Sequence, residues 1–224
     1  MLPGPVRAVV FDMDGLIVDS EVVYREAILA AAAAQGHALP LALFHQMIGA
    51  PIVQNRELLR DHFGADLDIE ALLDESSARF HQIFDLEDRI KAGVSELLDA
   101  LDARGLRRAI ATSSPRASVE RHLAPGGLLA RFDAVIARGD YARGKPAPDP
   151  FLAAAAALGV PPSACLALED SHNGVRAAHA AGMMTVMVPD LLEATDEMRR
   201  LCVAVAASLH DVRIMLGESD GHTP

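Results

Sequence analysis

Residues 6–20 read "VRAVVFDMDGLIVDS". The first six, apart from Arg7, are apolar and mostly β-branched or aromatic, as in a strand buried on both faces. Asp12 and Asp14 follow at once, two positions apart, with Gly15 directly behind them and Asp19 further on. Two carboxylates at the end of a buried strand repel each other. Such a placement requires a positive partner from elsewhere in the chain.

Working outward from this strand, further runs of strand length occur at 107–112, 132–136, 164–168 and 184–188, with a weaker one at 202–206. Helix-like stretches separate most of them. "GVSELLDALDARG" (93–105) sets Leu97, Leu98 and Leu101 on one face, with Ser95 as the N-cap and Gly105 as the stop. "DPFLAAAAALGV" (149–160) repeats the logic, with Asp149 as cap, Pro150 in the first turn and Gly159 at the end. "SHNGVRAAHAAGM" (171–183) ends at Gly182. Strand–helix alternation predicts an α/β fold, a parallel sheet with helices on both faces. Residues 21–88 break the rhythm: the stretch is rich in Ala, Leu, Glu and Gln and predicts helices at 21–35, 41–47, 52–63 and 69–84. The expected organisation is an α/β core of residues 1–17 and 90–224 with a helical domain, 18–89, inserted after the first strand.

The 224 residues are 51% hydrophobic, enough for one sizeable core and a smaller lobe. The formal net charge of -11 argues against nucleic acid or an anionic membrane as the main partner. The two cysteines, Cys165 and Cys202, lie inside apolar runs and read as reduced core residues. No apolar run reaches the roughly 20 residues that span a bilayer. The N-terminus lacks the pattern of a signal peptide. A cytoplasmic protein is expected, a monomer or weak homodimer acting on a small molecule.

In a parallel sheet, ligands bind beyond the carboxyl ends of the strands. There the first strand offers Asp12 and Asp14, and the second, in "ATSSP", offers Thr112, Ser113 and Ser114. The fourth ends in "LEDSHNG", with Glu169 and Asp170, and the loop after the third runs into "RGKPAPDP", with Lys145. Four carboxylates converging on one point, Asp12, Asp14, Glu169 and Asp170, need a cation among them. Oxygen-only ligands favour a hard ion, Mg²⁺. With the metal and Lys145 the pocket becomes locally cationic, and the hydroxyls and backbone N–H groups of Thr112 and Ser113 suit phosphate oxygens. One carboxylate then attacks phosphorus to give an aspartyl phosphate, and the second serves as general acid and base. Each piece also has a plain reading: a turn after a strand, hydroxyls that cap the next helix, a surface lysine. The sharper reading rests on their coincidence.

These four stretches, in this order, resemble the motifs of the haloacid dehalogenase superfamily, in the subgroup with a helical cap after the first strand. The resemblance spans nearly the whole chain and implies a Rossmann-like sheet of order 5-4-1-2-3. It implies Asp12 as nucleophile and Asp14 as acid and base, with the Asp14 carbonyl on Mg²⁺. Thr112 and the Ser113 backbone would bind the phosphoryl group, Lys145 would bridge Asp12 and phosphate, and Asp170 with Glu169 would hold the metal. Asp14 favours phosphoryl transfer over dehalogenation. The expected substrate is a small phosphorylated metabolite, a sugar phosphate or phosphoglycolate-like monoester, with Glu21, Tyr24 and Asn55 of the insertion as substrate contacts. β-Phosphoglucomutase-like enzymes share all four motifs. They carry a His in the first cap helix and an Arg in a cap loop, where this chain has Tyr24 and Ile52. A signalling receiver domain, the non-catalytic alternative, is about half as long and carries its acceptor aspartate on a later strand.

Overall fold

The structure, a computed structural model, describes residues 2–50, 52–84 and 89–219. The chain divides into two compact units, one of residues 1–18 with 91–224 and one of residues 19–90. β1 (Ala8–Phe11) opens the first, and the second holds α1 (Ser20–Ala34), α2 (Leu41–Met47), α3 (Ile52–Phe63) and α4 (Ile69–Phe84). The first unit resumes with α5 (Val94–Ala103), β2 (Arg107–Pro115), α6 (Arg116–Leu123), a 3-10 segment (Pro125–Arg131) and β3 (Ala134–Arg138). It continues with α7 (Asp149–Leu158), β4 (Cys165–Glu169), α8 (His172–Ala180), β5 (Met184–Met187), α9 (Asp196–Leu201), β6 (Ala204–Val205) and α10 (Leu209–Ser219).

All strand pairs are parallel, in the order β3-β2-β1-β4-β5-β6. The expected five-strand order lies within this one, read from the other edge, and the difference is the short sixth strand beside β5. β1 is central, and its four residues are 0% exposed, as sequence continuity without alternation requires. Ala8 and Val10 join Ala109, Ala111, Phe151, Ala154 and Ala155 in one core cluster. Alternation along the strand turns Val9 and Phe11 to the opposite layer, where Phe11 meets Phe132 edge-on at 5.5 Å. The alanine run of α7 brings that helix close to the sheet, since small side chains permit close packing.

α5 buries Val94, Leu97, Leu98 and Leu101. Each leucine removed from water contributes roughly 1.5–3 kcal/mol. Its start differs from expectation: Gly93, with φ 88°, occupies the N-cap and Ser95 lies inside the first turn. The positive φ favours glycine, and a Cβ there would stand 3.1 Å from the His210 backbone nitrogen, a tight contact with α10. Asp149 likewise falls one residue inside α7, and its carboxylate accepts from the Arg143 backbone and guanidinium instead.

In the helical unit, α1 packs along α4. Val23, Ala27, Ile28, Ala31 and Ala32 form the buried stripe of α1, a helical period. The Gln35 side chain clamps Asp68 from both sides, donating to its carbonyl at 3.0 Å and accepting from its N–H at 2.9 Å. The Asp68 carboxylate in turn accepts from Ala71 N–H in the first turn of α4. Among the described residues, no helix is long and apolar enough to cross a membrane.

Candidate active site

Chain order runs from β1 outward to β3, then returns across β1 to β4 and on to β6. The strand order therefore reverses between β1 and β4, and the crevice beyond their carboxyl ends is where an open parallel sheet accepts ligands. Asp12 follows β1 there, its N–H donating to the Leu168 carbonyl at 3.0 Å. Gly15, with φ 79°, then turns the chain, and its N–H closes on the Val18 carbonyl at 2.9 Å.

Lys145 joins the two sides of the crevice. Its Nζ donates to Asp12 Oδ1 at 2.6 Å and to Glu169 Oε1 at 2.5 Å. It also lies 5.1 Å from the centroid of the Phe151 ring. Lys145, Asp12 and Glu169 are 5%, 6% and 0% exposed, so this is a buried charge cluster. Burial opposes the ammonium, but the Asp12 and Glu169 carboxylates outweigh it and hold the Lys145 pKa above its ordinary value. Burial lifts Asp12 to about 7, against the pull of Lys145 and with the push of Glu169 and Asp14.

Asp14 stands in a different setting, half-buried and held by hydroxyls. Ser114 Oγ donates to its Oδ2 at 2.7 Å and Thr112 Oγ1 to the same oxygen at 3.4 Å. Thr112 Oγ1 also accepts from Ser114 N–H at 3.0 Å, which stiffens the end of β2. Ser113, between them, is exposed. Ser114 was legible as one of three hydroxyls in "ATSSP", yet only the fold shows which of them meets Asp14.

Asp12, Glu169 and Asp170 each offer a carboxylate oxygen within 4.8 Å of the others, and all three are buried. Three buried carboxylates against one ammonium leave more acid groups than the lysine can neutralise, which suits a divalent cation on oxygen ligands. Asp12, Glu169 and Asp170 are the residues that could hold it. Glu169 also has other partners: Oε1 takes Lys145, while Oε2 accepts from Ser171 N–H at 3.2 Å and Ser171 Oγ at 3.0 Å. Ser171 also caps α8, accepting from Gly174 N–H at 3.1 Å. A Cβ on Gly174 would fall 1.9 Å from the Glu169 carboxyl, so this glycine is the space Glu169 occupies. Ser and Gly three residues apart after an acidic pair are the sequence signal for this seat. His172, whose position beside the acidic pair invites a role, is turned to the Glu193 carbonyl at 2.9 Å.

Asp12, Asp14, Thr112, Ser113, Lys145, Glu169 and Asp170 thus all belong to the first unit, at one end of its sheet. Glu21, Tyr24 and Asn55 belong to the helical unit. There Tyr24 packs between Phe44 and Phe80, at 6.4 and 6.3 Å, as part of its aromatic core. Asn55 is buried on α3, and its Oδ1 has no hydrogen-bond partner among the described residues. Glu21 lies in the first turn of α1.

A central aspartate, a second one two residues on, a strand-end Thr, a bridging lysine and an acidic pair on a parallel sheet define a hydrolase of the haloacid dehalogenase type. The chain belongs to that family: the model for haloacid dehalogenase-like hydrolases matches residues 6–182. YhcW of Bacillus subtilis (strain 168) is 36% identical over 191 residues, covering 85% of this chain and 86% of its own. The fructose-1-phosphate phosphatase YqaB of Escherichia coli (strain K12) is 35% identical over 181 residues, 80% of this chain and 94% of that one. A HAD family hydrolase of Deinococcus radiodurans R1, solved with bound phosphate and sodium, superposes with a TM-score of 0.78. It is 29% identical and covers 98% of this chain and 99% of its own.

Proposed function

We propose that the protein is a cytoplasmic Mg²⁺-dependent phosphatase that hydrolyses a small phosphate monoester through a phosphorylated Asp12. The observation that carries this reading is the division of labour between the two aspartates. Asp12 is buried on Lys145, while Asp14 is half-buried on the hydroxyls of Ser114 and Thr112. Two carboxylates in unlike settings suit two roles. An Asp12 oxygen attacks phosphorus while the bond from phosphorus to the leaving oxygen breaks, and Asp14 gives that oxygen its proton. Water then attacks the phosphoryl group while the bond from phosphorus to the Asp12 oxygen breaks, Asp14 takes up the water's proton, and inorganic phosphate and the Asp12 carboxylate are released. Thr112 and Ser113 bind phosphoryl oxygens, and Lys145 opposes the charge shared by Asp12 and phosphate. Asp12, Asp170 and the Asp14 carbonyl would hold Mg²⁺, with Glu169 fixing Lys145 beside them. The metal supplies charge neutralisation and Lewis acidity when bound. The names of YqaB and of the phosphate-bound Deinococcus structure support phosphate as the group recognised. The helical unit, as a cap over 18–89, selects the substrate, with Glu21 and Asn55 as contacts; the aromatic packing of Tyr24 favours a structural role for it.

A screen of phosphorylated metabolites with Mg²⁺ tests the reading. No turnover of any monoester by folded, Mg²⁺-loaded protein would count against it. Asp14→Asn refines the test. It is expected to slow alkyl phosphates by on the order of 100-fold, but p-nitrophenyl phosphate much less, because that leaving group needs little protonation. Equal slowing of both would remove the acid role. Mg²⁺ binding should also depend on pH. Asp12 must be ionised to take the metal, and burial lifts it to about 7 in the metal-free protein. Affinity should therefore fall about tenfold per pH unit below that value and level off above it. Calorimetric titrations across the range would show this, and a flat profile would detach Asp12 from the metal.

A further inference from the structure

The ladder between β2 and β3 is interrupted just where the phosphate-binding residues lie. Its register jumps from Ala111 opposite Ile136 to Pro115 opposite Arg138. Residues 112–114 fall in this gap, so regular strand pairing with β3 does not set their peptide planes. In the gap, Tyr141 Oη donates to the Thr112 carbonyl at 3.1 Å. We propose that Tyr141 is a positioning residue for phosphoryl binding: by holding the Thr112 carbonyl it aims the Ser113 N–H at the phosphoryl oxygens.

The argument is geometric. The carbonyl of Thr112 and the N–H of Ser113 belong to one peptide plane, and in a trans peptide they point in opposite directions. A phenol that captures the carbonyl on one side therefore presents the N–H on the other. The hold is firm because the loop bearing Tyr141 is itself tied down. Asp140, its neighbour, accepts from Ala137 N–H at 2.9 Å and from Arg116 at 2.7 Å. On its other side the tyrosine ring lies against Gly144, whose added Cβ would stand 3.7 Å from the ring edge. Lys145 is the next residue, so one side chain braces both the lysine loop and the strand end that it faces. The surroundings agree with this placement: burial raises the phenol pKa most, Lys145 and the Ser113 hydroxyl lower it, and the Asp12 carboxylate raises it.

The inference rests on the phosphatase reading, and one comparison separates their fates. Tyr141→Phe removes only the hydroxyl and keeps the ring against Gly144. The variant should keep its melting temperature and its Mg²⁺ affinity. Its affinity for inorganic phosphate, titrated in the presence of Mg²⁺, should fall on the order of tenfold, the worth of one donor to a charged group. KM should rise more than kcat falls. In wild-type protein the Ser113 amide proton should move downfield when phosphate is added, and in Tyr141→Phe this movement should be lost. A variant that binds phosphate as wild type does, with the Ser113 shift intact, overturns the proposal. A folded, Mg²⁺-loaded wild type that binds no phosphate overturns the phosphatase reading and the inference with it. Should Tyr141→Phe fail to fold, absence of the Ser113 shift in wild type would still overturn the role assigned to that N–H.

Discussion

Asp12→Asn is expected to abolish nearly all turnover, a loss on the order of 10⁴-fold or more, while leaving the fold intact. Asparagine fills the same space but offers no anionic oxygen to phosphorus. The fold should survive because Lys145 keeps Glu169 as a partner at 2.5 Å. The sign of the stability change follows from the raised pKa. Burial holds the folded-state pKa of Asp12 at about 7, above the ordinary carboxylate value, so its neutral form is favoured in the fold. Stability linked to this group is complete at low pH and is lost as pH rises through about 7. The amide carries no such penalty, so metal-free Asp12→Asn at about pH 8 should melt no lower than wild type. Substantial residual turnover in the variant would move the nucleophile elsewhere. A collapse in melting temperature would mean that the carboxylate is structural.

Lys145→Met should be the more destabilising change. It leaves the buried Asp12, Glu169 and Asp170 carboxylates, within 4.8 Å of one another, without their ammonium. Removing one partner of a buried ion pair destabilises by about 3 kcal/mol or more. It also removes the main influence that lowers the Asp12 pKa, so that pKa rises further. The same sign holds: destabilisation of metal-free protein should be small at low pH, where Asp12 is protonated, and grow as pH rises through neutrality. Catalysis should fall on the order of 10³-fold, because charge built up on phosphate and Asp12 loses its counter-ion. Urea denaturation at about pH 6 and about pH 8, with and without Mg²⁺, measures the first effect, and Mg²⁺ should restore part of the loss. A variant equally stable at both pH values and within tenfold of wild-type turnover would show that Lys145 is peripheral.

Much of this was written locally. The continuous apolar run at 8–11 announced a strand buried on both faces, and β1 is central and wholly buried. The helices of the insertion were legible because alanine- and leucine-rich periodic stretches end at turn residues such as "GHALP" and "FGADLD". Boundaries failed where a distant element intervened. Gly93, not Ser95, starts α5 because α10 packs against that turn. The helix after "ATSSP" is expected from its hydroxyls, but α9, α10 and the 3-10 stretch after α6 are short or weakly periodic and leave little local signal. Tyr24 packs against Phe44 and Phe80, which lie 20 and more residues away in the chain, so this aromatic packing is invisible to a local reading.

By itself, the sequence determined the chemical types gathered at the strand ends and hence the family: two aspartates, three hydroxyls, a lysine and an acidic pair, each at or beyond the carboxyl end of a strand of one parallel sheet. Those are consequences of local composition and chain direction, which a linear text records. Only the tertiary structure decided which group meets which. Lys145 reaches Asp12 across 133 residues and Glu169 across 24, and Ser114 reaches Asp14 across 100. Such pairings set Glu169 against Lys145 as well as beside Asp12 and Asp170, joined Ser114 to Asp14, and brought Ser171, Gly174 and Tyr141 into the site. Their physical reason is that the sheet brings distant strand ends within ångströms, where burial and hydrogen-bond geometry assign partners that spacing along the chain cannot.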